Sequence, residues 1–199
     1  MKRIDICEAN SSPNFIGSWM LDTHAVCDAL INHFESHSGK HRKGVTTAGK
    51  HLGDKRNTDL TVLPNEVGLQ GNEILKTYID QLYECYKDYL LQWPFLGQTV
   101  GNLEIGPFSL VRYHAGDHFQ KIHTERADLS TLHRILVWMT YLNDVEAGGS
   151  TYFSHYDIEV QPRQGLTLIW PAEWTHAHRG NILGTGSKYI ITGWMHFPQ

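Results

Sequence analysis

Residues 135–153 read ILVWMTYLNDVEAGGSTYF, and this stretch decides the fold. An apolar run rich in β-branched and aromatic residues ends at the turn residues Asn143 and Asp144, and two glycines precede a second short run. Runs of this kind, separated by turn residues, are typical of antiparallel strands. The same rhythm recurs at 107–114, 118–124, 157–160, 166–170, 174–179 and 187–197. The gaps are too short for crossover helices, so the pattern favours a sandwich or barrel.

The first hundred residues show helical periodicity instead. Apolar positions recur at three- and four-residue spacing over 26–34 and again over 74–90, which predicts two amphipathic helices. Residues 38–68 between them are polar and contain glycine, which indicates a long loop of the kind that often borders a functional site.

These patterns together predict one α+β, mainly β domain over residues 1–199. A helical front, residues 1–100, packs outside a double-stranded β-helix, or jelly roll, formed by residues 101–199. The interior of such a roll can hold a small ligand.

Composition narrows the classes of function. The chain has 199 residues and a formal net charge of −4, so no clustered basic face supports a nucleic-acid partner. The cysteines, Cys7, Cys27 and Cys85, are odd in number and form no CxxC pair, which favours a reducing compartment. The N-terminus has no apolar core of a signal peptide, and no apolar run is long enough to cross a bilayer. We therefore expect a cytoplasmic protein with no membrane partner.

The first candidate metal ligands lie in the segment Ile122-His123-Thr124-Glu125. On a strand, residues two apart point to the same face, so His123 and Glu125 project together. An imidazole and a carboxylate are two of the three ligands in a two-histidine, one-carboxylate facial triad, which leaves three positions of octahedral iron(II) open.

A third ligand is available in the segment Trp174-Thr175-His176-Ala177-His178. Because His176 and His178 are also two apart, they share a face of a predicted strand, and geometry alone does not choose between them.

A loop after His178 leads to a strand that begins at Lys188, and this layout predicts a hairpin. The hairpin returns Lys188 beside the metal strand, on one face with Ile190, Thr192 and Trp194. A lysine on an inward face is costly unless an anion neutralises it. The alternative is that Lys188 opens an edge strand and points to water.

The ordered set His123-Thr124-Glu125, His178-Arg179-Gly180 and Lys188, ten positions after His178, resembles the 2-oxoglutarate/iron(II)-dependent dioxygenase superfamily, closest to its prolyl 4-hydroxylase-like branch. Neighbouring segments are similar to that branch as well: Leu110-Val111-Arg112-Tyr113 with Gly116, Tyr141-Leu142-Asn143-Asp144, Gly148-Gly149-Ser150-Thr151-Tyr152-Phe153, Val160-Gln161-Pro162 with Gly165, and Trp170-Pro171. The resemblance covers roughly residues 103 to 197.

The resemblance implies a jelly-roll oxygenase that binds Fe(2+) through His123, Glu125 and His178, which are both its metal ligands and its catalytic residues. It implies 2-oxoglutarate as cosubstrate, held by Lys188 and Tyr113, and ascorbate as an accessory reductant. The expected reaction consumes dioxygen and hydroxylates a carbon centre of a peptidyl side chain, proline included, or of a small molecule. This sequence departs from the branch at Glu125, where aspartate is usual, and in the additional His176.

Two other functions stay open at this point. A zinc hydrolase on a β-roll would use His123, His176 and either His178 or Glu125 to activate water, although no HExxH helix is present. A noncatalytic β-roll binding module would make the histidines incidental. Iron-dependent binding of 2-oxoglutarate separates the three, because only the oxygenase requires it.

Overall fold

The computed structural model describes residues 1–4, 13–21, 24–44 and 54–198. In that part of the chain the strands are β1 (Lys2–Arg3), β2 (Gly17–Met20), β3 (Arg42–Lys43), β4 (Thr58–Val62), β5 (Glu104–Ile105), β6 (Phe108–His114), β7 (Phe119–His123), β8 (Arg134–Tyr141), β9 (Thr151–Phe153), β10 (Ile158–Val160), β11 (Leu166–Pro171), β12 (His178–Gly180) and β13 (Ser187–His196).

The α-helices of the described residues are α1 (His24–Ser36), α2 (Glu73–Gln92) and α3 (Pro94–Val100), and short 3-10 turns occupy Ser38–Lys40, Pro64–Glu66, Leu129–Thr131 and Trp174–His176. Helices α1 and α2 form because their buried side chains recur every three or four residues, as from Leu75 to Tyr78 and Leu82 in α2. Pro94 opens α3 at a position where its missing N–H costs nothing.

The strands form two antiparallel sheets. Among the described residues, the major sheet has the order β1-β2-β11-β8-β13-β6-β4-β3, with β5 also paired to β13. The minor sheet has the order β10-β9-β12-β7. The strand order alternates between distant parts of the chain, as in a double-stranded β-helix. The predicted jelly roll is therefore confirmed.

Alternation along β8 separates the two halves of the core. Val137, Met139 and Tyr141 pack into the roll against residues of the minor sheet such as Phe153. The side chains between them, Trp138 among them, face the opposite way and pack against the helices. The major sheet thus carries the interior of the roll on one face and the helical layer on the other.

The helical layer packs on this sheet through aromatic contacts. The Trp138 side chain is fully buried, with ring centroids 5.9 Å from Tyr78 and 5.6 Å from Phe108. The Tyr78 hydroxyl hydrogen-bonds Thr140 Oγ1 at 2.8 Å, and Thr140 Oγ1 lies 2.7 Å from Thr167 Oγ1. This series of hydrogen bonds satisfies the buried hydroxyls between helix and sheet.

Four sequence predictions need correction. The hairpin predicted between the segment at His178 and the strand that begins at Lys188 does not form, because β12 belongs to the minor sheet and β13 to the major sheet. The first hundred residues are not only helical, because β2 and β4 both join the major sheet. Consequently the predicted loop at 38–68 contains strands β3 and β4, while its residues 45–53 lie outside the described part. The predicted strand at 174–179 is a 3-10 turn followed by the short strand β12. No helix in the described ranges has the length and hydropathy needed to span a membrane.

We expect Trp138→Ala to lower the free energy of unfolding by about 3–5 kcal/mol, because it leaves a cavity between sheet and helices. Urea denaturation followed by circular dichroism measures the change. Leu91→Ala is the control, since Leu91 lies on the same helical layer but is 81% exposed, and we expect a change within about 0.5 kcal/mol. Equal effects of the two substitutions would contradict this description of the core.

Candidate metal and cosubstrate site

The predicted metal ligands meet where β7 and β12 pair. His123 ends β7 and lies directly opposite His178, which begins β12. Glu125 follows two residues after the end of β7. One ring nitrogen from each histidine and one oxygen of Glu125 all lie within 4.8 Å of one another.

A bulge in β7 shapes this corner. His178 pairs with His123 and Gly180 with Phe119, so residues 120–122 of β7 oppose only Arg179 of β12. A bulge of this kind leaves backbone groups outside the ladder and redirects side chains. The carbonyl of Lys121, within the bulge, accepts a hydrogen bond from His123 Nδ1 at 2.8 Å. The Phe119 ring stacks on the same imidazole, with ring centroids 3.7 Å apart.

Both imidazoles are held in the same tautomer by the backbone. A carbonyl oxygen can only accept, so His123 Nδ1 donates to Lys121, and His178 Nδ1 donates to the His176 carbonyl at 2.9 Å. The Nε2 atoms are then left to face Glu125. His123 Nε2 lies 3.4 Å, and His178 Nε2 3.6 Å, from Glu125 Oε1.

The charge state of the cluster suits a cation. Burial, reinforced by the charge of His123, lowers the pKa of His178 to about 4, so His178 is neutral near pH 7 and its Nε2 lone pair is available. Burial alone would raise the pKa of Glu125, but the hydrogen bond and charge of His123, with the charges of His178 and Arg134, outweigh it and hold the pKa well below its usual range.

The second carboxylate oxygen of Glu125 faces the opposite side. Trp194 Nε1 donates to Glu125 Oε2 at 3.0 Å, and Arg134 Nη1 lies 3.7 Å from the same oxygen. One oxygen of the carboxylate therefore faces the histidines, while the other accepts a hydrogen bond from Trp194 and lies at ion-pair distance from Arg134.

Two imidazole nitrogens and one carboxylate oxygen within 4.8 Å of one another are the donor set of non-haem iron(II) centres. The residues therefore fit the metal that the sequence predicts. His123, Glu125 and His178 come from β7, its following loop and β12, and no other histidine, cysteine, aspartate or glutamate of the described residues joins this group.

His176 lies outside this cluster. It sits in the 3-10 turn Trp174–His176 rather than on a strand, so it does not share a face with His178. Its Nε2 donates to the Asn14 carbonyl at 2.8 Å, while its Nδ1 hydrogen-bonds Thr175 Oγ1 at 3.0 Å. Both ring nitrogens are thus engaged, and neither ligand set of the hydrolase alternative, His123 and His176 with His178 or with Glu125, forms among the described residues.

Lys188 and Tyr113 lie side by side inside the roll. They pair across β13 and β6, and Lys188 is only 4% exposed. Lys188 Nζ donates to the Gly149 carbonyl at 2.6 Å and lies 4.4 Å from the centre of the Tyr113 ring. Of the two predicted orientations, the inward one is therefore observed.

The buried lysine lacks a counter-ion in the described part of the chain. Gly149 is its hydrogen-bond acceptor, and no carboxylate of those residues lies within ion-pair distance of Nζ. Burial accordingly lowers the pKa of Lys188 to about 7. A dicarboxylic acid that reached Nζ with one end would supply the missing charge. The residues at this second position therefore fit 2-oxoglutarate.

Two functional neighbours were missed by the sequence analysis. Trp194 shares a face of its strand with Lys188, and that alternation was the one signal in the sequence for its place at the site. No pattern in the sequence pointed to Arg134, whose Nη1 donates to the Glu125 carbonyl at 3.1 Å.

Comparison of the sequence with known families gives one result for this region: the family model described as 2OG-Fe(II) oxygenase superfamily matches residues 108–196. Prolyl 4-hydroxylase subunit alpha-1 of Gallus gallus is 29% identical over 76 residues, which are 35% of this chain and 15% of the relative. The Homo sapiens protein of the same name gives 29% over 76 residues and 14% of its length. The matched stretch is thus a small part of these relatives.

Solved structures share the fold over almost the whole chain. The 2-oxoglutarate complex of a viral collagen prolyl hydroxylase from Paramecium Bursaria Chlorella virus-1 has a TM-score of 0.66 at 16% identity, covering 93% of this chain and 97% of the other. A Pseudomonas putida prolyl-4-hydroxylase has a TM-score of 0.69 at 13% identity, covering 94% of each. A Trichoplax adhaerens prolyl hydroxylase, bound to a peptide of the hypoxia inducible factor oxygen degradation domain, has 0.68 at 15% identity, covering 92% and 84%.

The different surroundings of the two neighbouring histidines lead to a paired test. We expect His178→Ala to weaken Mn(II) binding by at least about 100-fold, because it removes one of the three inward donors. His176→Ala removes only hydrogen bonds to Asn14 and Thr175, so we expect a lower melting temperature and an Mn(II) affinity within about threefold of wild type. Titration of Mn(II), followed by electron paramagnetic resonance, measures both. The reverse order would contradict the assignment.

Proposed function

We propose that the chain is an iron(II)- and 2-oxoglutarate-dependent hydroxylase of the 2OG-Fe(II) oxygenase superfamily, whose family model matches residues 108–196, and of its prolyl 4-hydroxylase-like branch. The observation that carries this proposal is the meeting of two Nε2 atoms and one carboxylate oxygen. The interior of the same roll also holds a buried lysine, Lys188, which lacks a counter-ion among the described residues. The function rests on that site rather than on the fold, since folds of this kind host several activities.

In this proposal His123, Glu125 and His178 hold the metal. The two histidines supply neutral nitrogen donors whose tautomer is set by backbone carbonyls, and Glu125 supplies one negative charge. Phe153 and Trp170 surround the His178 ring, with centroids 5.7 and 5.2 Å away, and keep water from it on that side. The side chains are therefore ordered before the metal arrives.

Lys188 and Tyr113 hold the cosubstrate. Lys188 Nζ pairs with the carboxylate of 2-oxoglutarate that is remote from the metal, and the buried Tyr113 lies against the same ammonium group. The 2-oxo acid end of the cosubstrate would bind the metal held by His123, Glu125 and His178. This arrangement fixes the orientation of the cosubstrate through one charged contact at its far end.

When bound, iron(II) and 2-oxoglutarate supply the oxidising chemistry: dioxygen converts 2-oxoglutarate to succinate and carbon dioxide, and its second oxygen atom is inserted into a substrate C–H bond. The protein positions the reactants and excludes water. Val137 and Met139 line the interior of the roll with apolar surface next to the site, which limits competing hydrolysis and proton leakage.

For the substrate we propose a peptidyl proline, with other carbon centres of peptides or small molecules as alternatives. The named relatives are prolyl hydroxylases, and one structural neighbour holds a peptide. In the chain itself, Trp174 beside the turn that leads to His178 is 65% exposed, with its ring 5.9 Å from that of His155. An exposed aromatic surface of this kind suits a proline-containing segment.

We expect a visible charge-transfer band when purified protein is titrated anaerobically with iron(II) and then 2-oxoglutarate. The band requires the 2-oxo acid to chelate the metal. Lys188→Ala is expected to need at least about tenfold more 2-oxoglutarate to reach the same absorbance, since it removes a charged hydrogen bond. Lys87→Ala is the matched control, because Lys87 pairs with Glu84 on the exposed side of α2, and we expect no change.

Absence of the band in protein that binds Zn(II) tightly would contradict the oxygenase and favour a hydrolase. If the band appears, proline-containing peptides and matched peptides with alanine in place of proline are incubated with iron(II), 2-oxoglutarate and air. We expect succinate release to be coupled to the gain of one oxygen atom only in the proline peptides. Coupled oxidation of the alanine peptides alone would overturn the proline assignment while leaving the oxygenase intact.

The affinity for 2-oxoglutarate is expected to depend on pH through Lys188. Burial lowers the pKa of the free lysine to about 7, so below pH 7 Nζ already carries its proton. Above pH 7, binding must take up a proton, and the dissociation constant rises by up to about tenfold per pH unit.

Calorimetric titration of the Mn(II)-loaded protein with 2-oxoglutarate on both sides of pH 7 measures this dependence. Lys188→Arg is the control, since arginine stays charged throughout and flattens the dependence. The same slope in wild type and Lys188→Arg would contradict the assignment.

A further inference from the structure

Glu125 stands where the prolyl 4-hydroxylase-like branch usually has aspartate, and its side chain has one more rotatable bond. We infer that Trp194 and Arg134 form a clamp, defined as these two side chains, that holds the longer carboxylate so that a single oxygen faces the metal. Both are positioning residues. The inference rests on the proposed function, because it assumes that Glu125 is a metal ligand.

Trp194 contacts one of the two carboxylate oxygens of Glu125. Its Nε1 donates to Glu125 Oε2 at 3.0 Å, while Oε1 faces the Nε2 atoms of His123 and His178 at 3.4 and 3.6 Å. The terminal torsion of a glutamate is soft, so the two oxygens exchange freely unless one is held. An indole N–H donates only, so Trp194 selects Oε2.

Arg134 fixes both the indole and the backbone of Glu125. Its guanidinium carbon lies 3.7 Å from the centre of the Trp194 ring, which is within the range of a cation–π contact. Its Nη1 donates to the Glu125 carbonyl at 3.1 Å and lies 3.7 Å from Oε2. Arg134 therefore contacts the Trp194 ring, the backbone of Glu125 and the carboxylate of Glu125.

The clamp has a consequence for the open positions of the metal. A free glutamate could bind with both oxygens and would occupy a position that the cosubstrate needs. With Oε2 held by Trp194 and Arg134, Oε1 alone is available to the metal. Three positions of an octahedral ion then stay open, as the two-histidine, one-carboxylate set requires.

Trp194→Phe tests the clamp because it removes the N–H and keeps a ring for Arg134 to stack on. The readout is Co(II) binding to the purified protein, measured as the dissociation constant and as the visible spectrum, which reports coordination number. We expect the dissociation constant to rise about tenfold to 100-fold and the spectrum to change. Trp93→Phe is the control, since Trp93 Nε1 has no hydrogen-bond partner in the part of the chain that the structure describes.

A second comparison separates positioning from a loss of packing. Glu125→Asp shortens the ligand, so its carboxylate cannot reach the metal and Trp194 together. In the Glu125→Asp background we therefore expect Trp194→Phe to change Co(II) affinity by less than about threefold. A merely structural role would give the same weakening in both backgrounds, together with a lower melting temperature, and would overturn the inference.

The possible failures are distinguishable. If wild type binds Co(II) and Trp194→Phe binds it equally well with an unchanged spectrum, the clamp is wrong while the proposed function stands. If wild type itself does not bind Co(II), or if Glu125→Ala binds it as wild type does, the metal assignment fails and the clamp fails with it.

Discussion

The hydrogen bonds from His123 Nδ1 and His178 Nδ1 to backbone carbonyls are the interactions on which the site depends. Each bond fixes a tautomer, and the two tautomers together direct both Nε2 atoms at one oxygen of Glu125. The accepting carbonyls are available because the local backbone is irregular: one lies in the bulge of β7 and the other in the 3-10 turn before β12. β7 is also the edge strand of the minor sheet, so one side of its backbone lies outside the ladder and can accept from a side chain.

The fold also buries a charged side chain, that of Lys188, inside the roll. Lys188 is buried next to Tyr113 with only a carbonyl as acceptor, and burial lowers its pKa. A protein interior tolerates such a lysine when the rest of the core is well packed, and here the major sheet packs on both faces. The stability of the sheet thus offsets the cost of burying Lys188. The same burial strengthens the contact between Lys188 and a bound carboxylate.

Much of this arrangement follows from the sequence. The spacing of His123 and Glu125 predicted that these two side chains project together, although β7 ends at His123 and Glu125 lies in the loop after it. The family resemblance, rather than the local pattern, implied His178 as the third ligand and the inward orientation of Lys188. The alternation rule failed at His176, since a 3-10 turn has no strand faces and the segment lacks the glycine or proline that often marks a turn. The roles of Trp194 and Arg134 also escaped, because they depend on a contact between β8 and β13 that local patterns do not encode. Strands β2 and β4 were missed because their pairing partners are distant in sequence.

The central claim is that His123, Glu125 and His178 bind one metal ion whose cosubstrate extends to Lys188. A crystal structure of the Mn(II) and 2-oxoglutarate complex, with the metal located by its anomalous scattering, tests this claim most directly. The account predicts one manganese bound by both Nε2 atoms and by Oε1 alone, with the far carboxylate of 2-oxoglutarate against Lys188 Nζ. Manganese on His176, or 2-oxoglutarate bound away from Lys188, would contradict it.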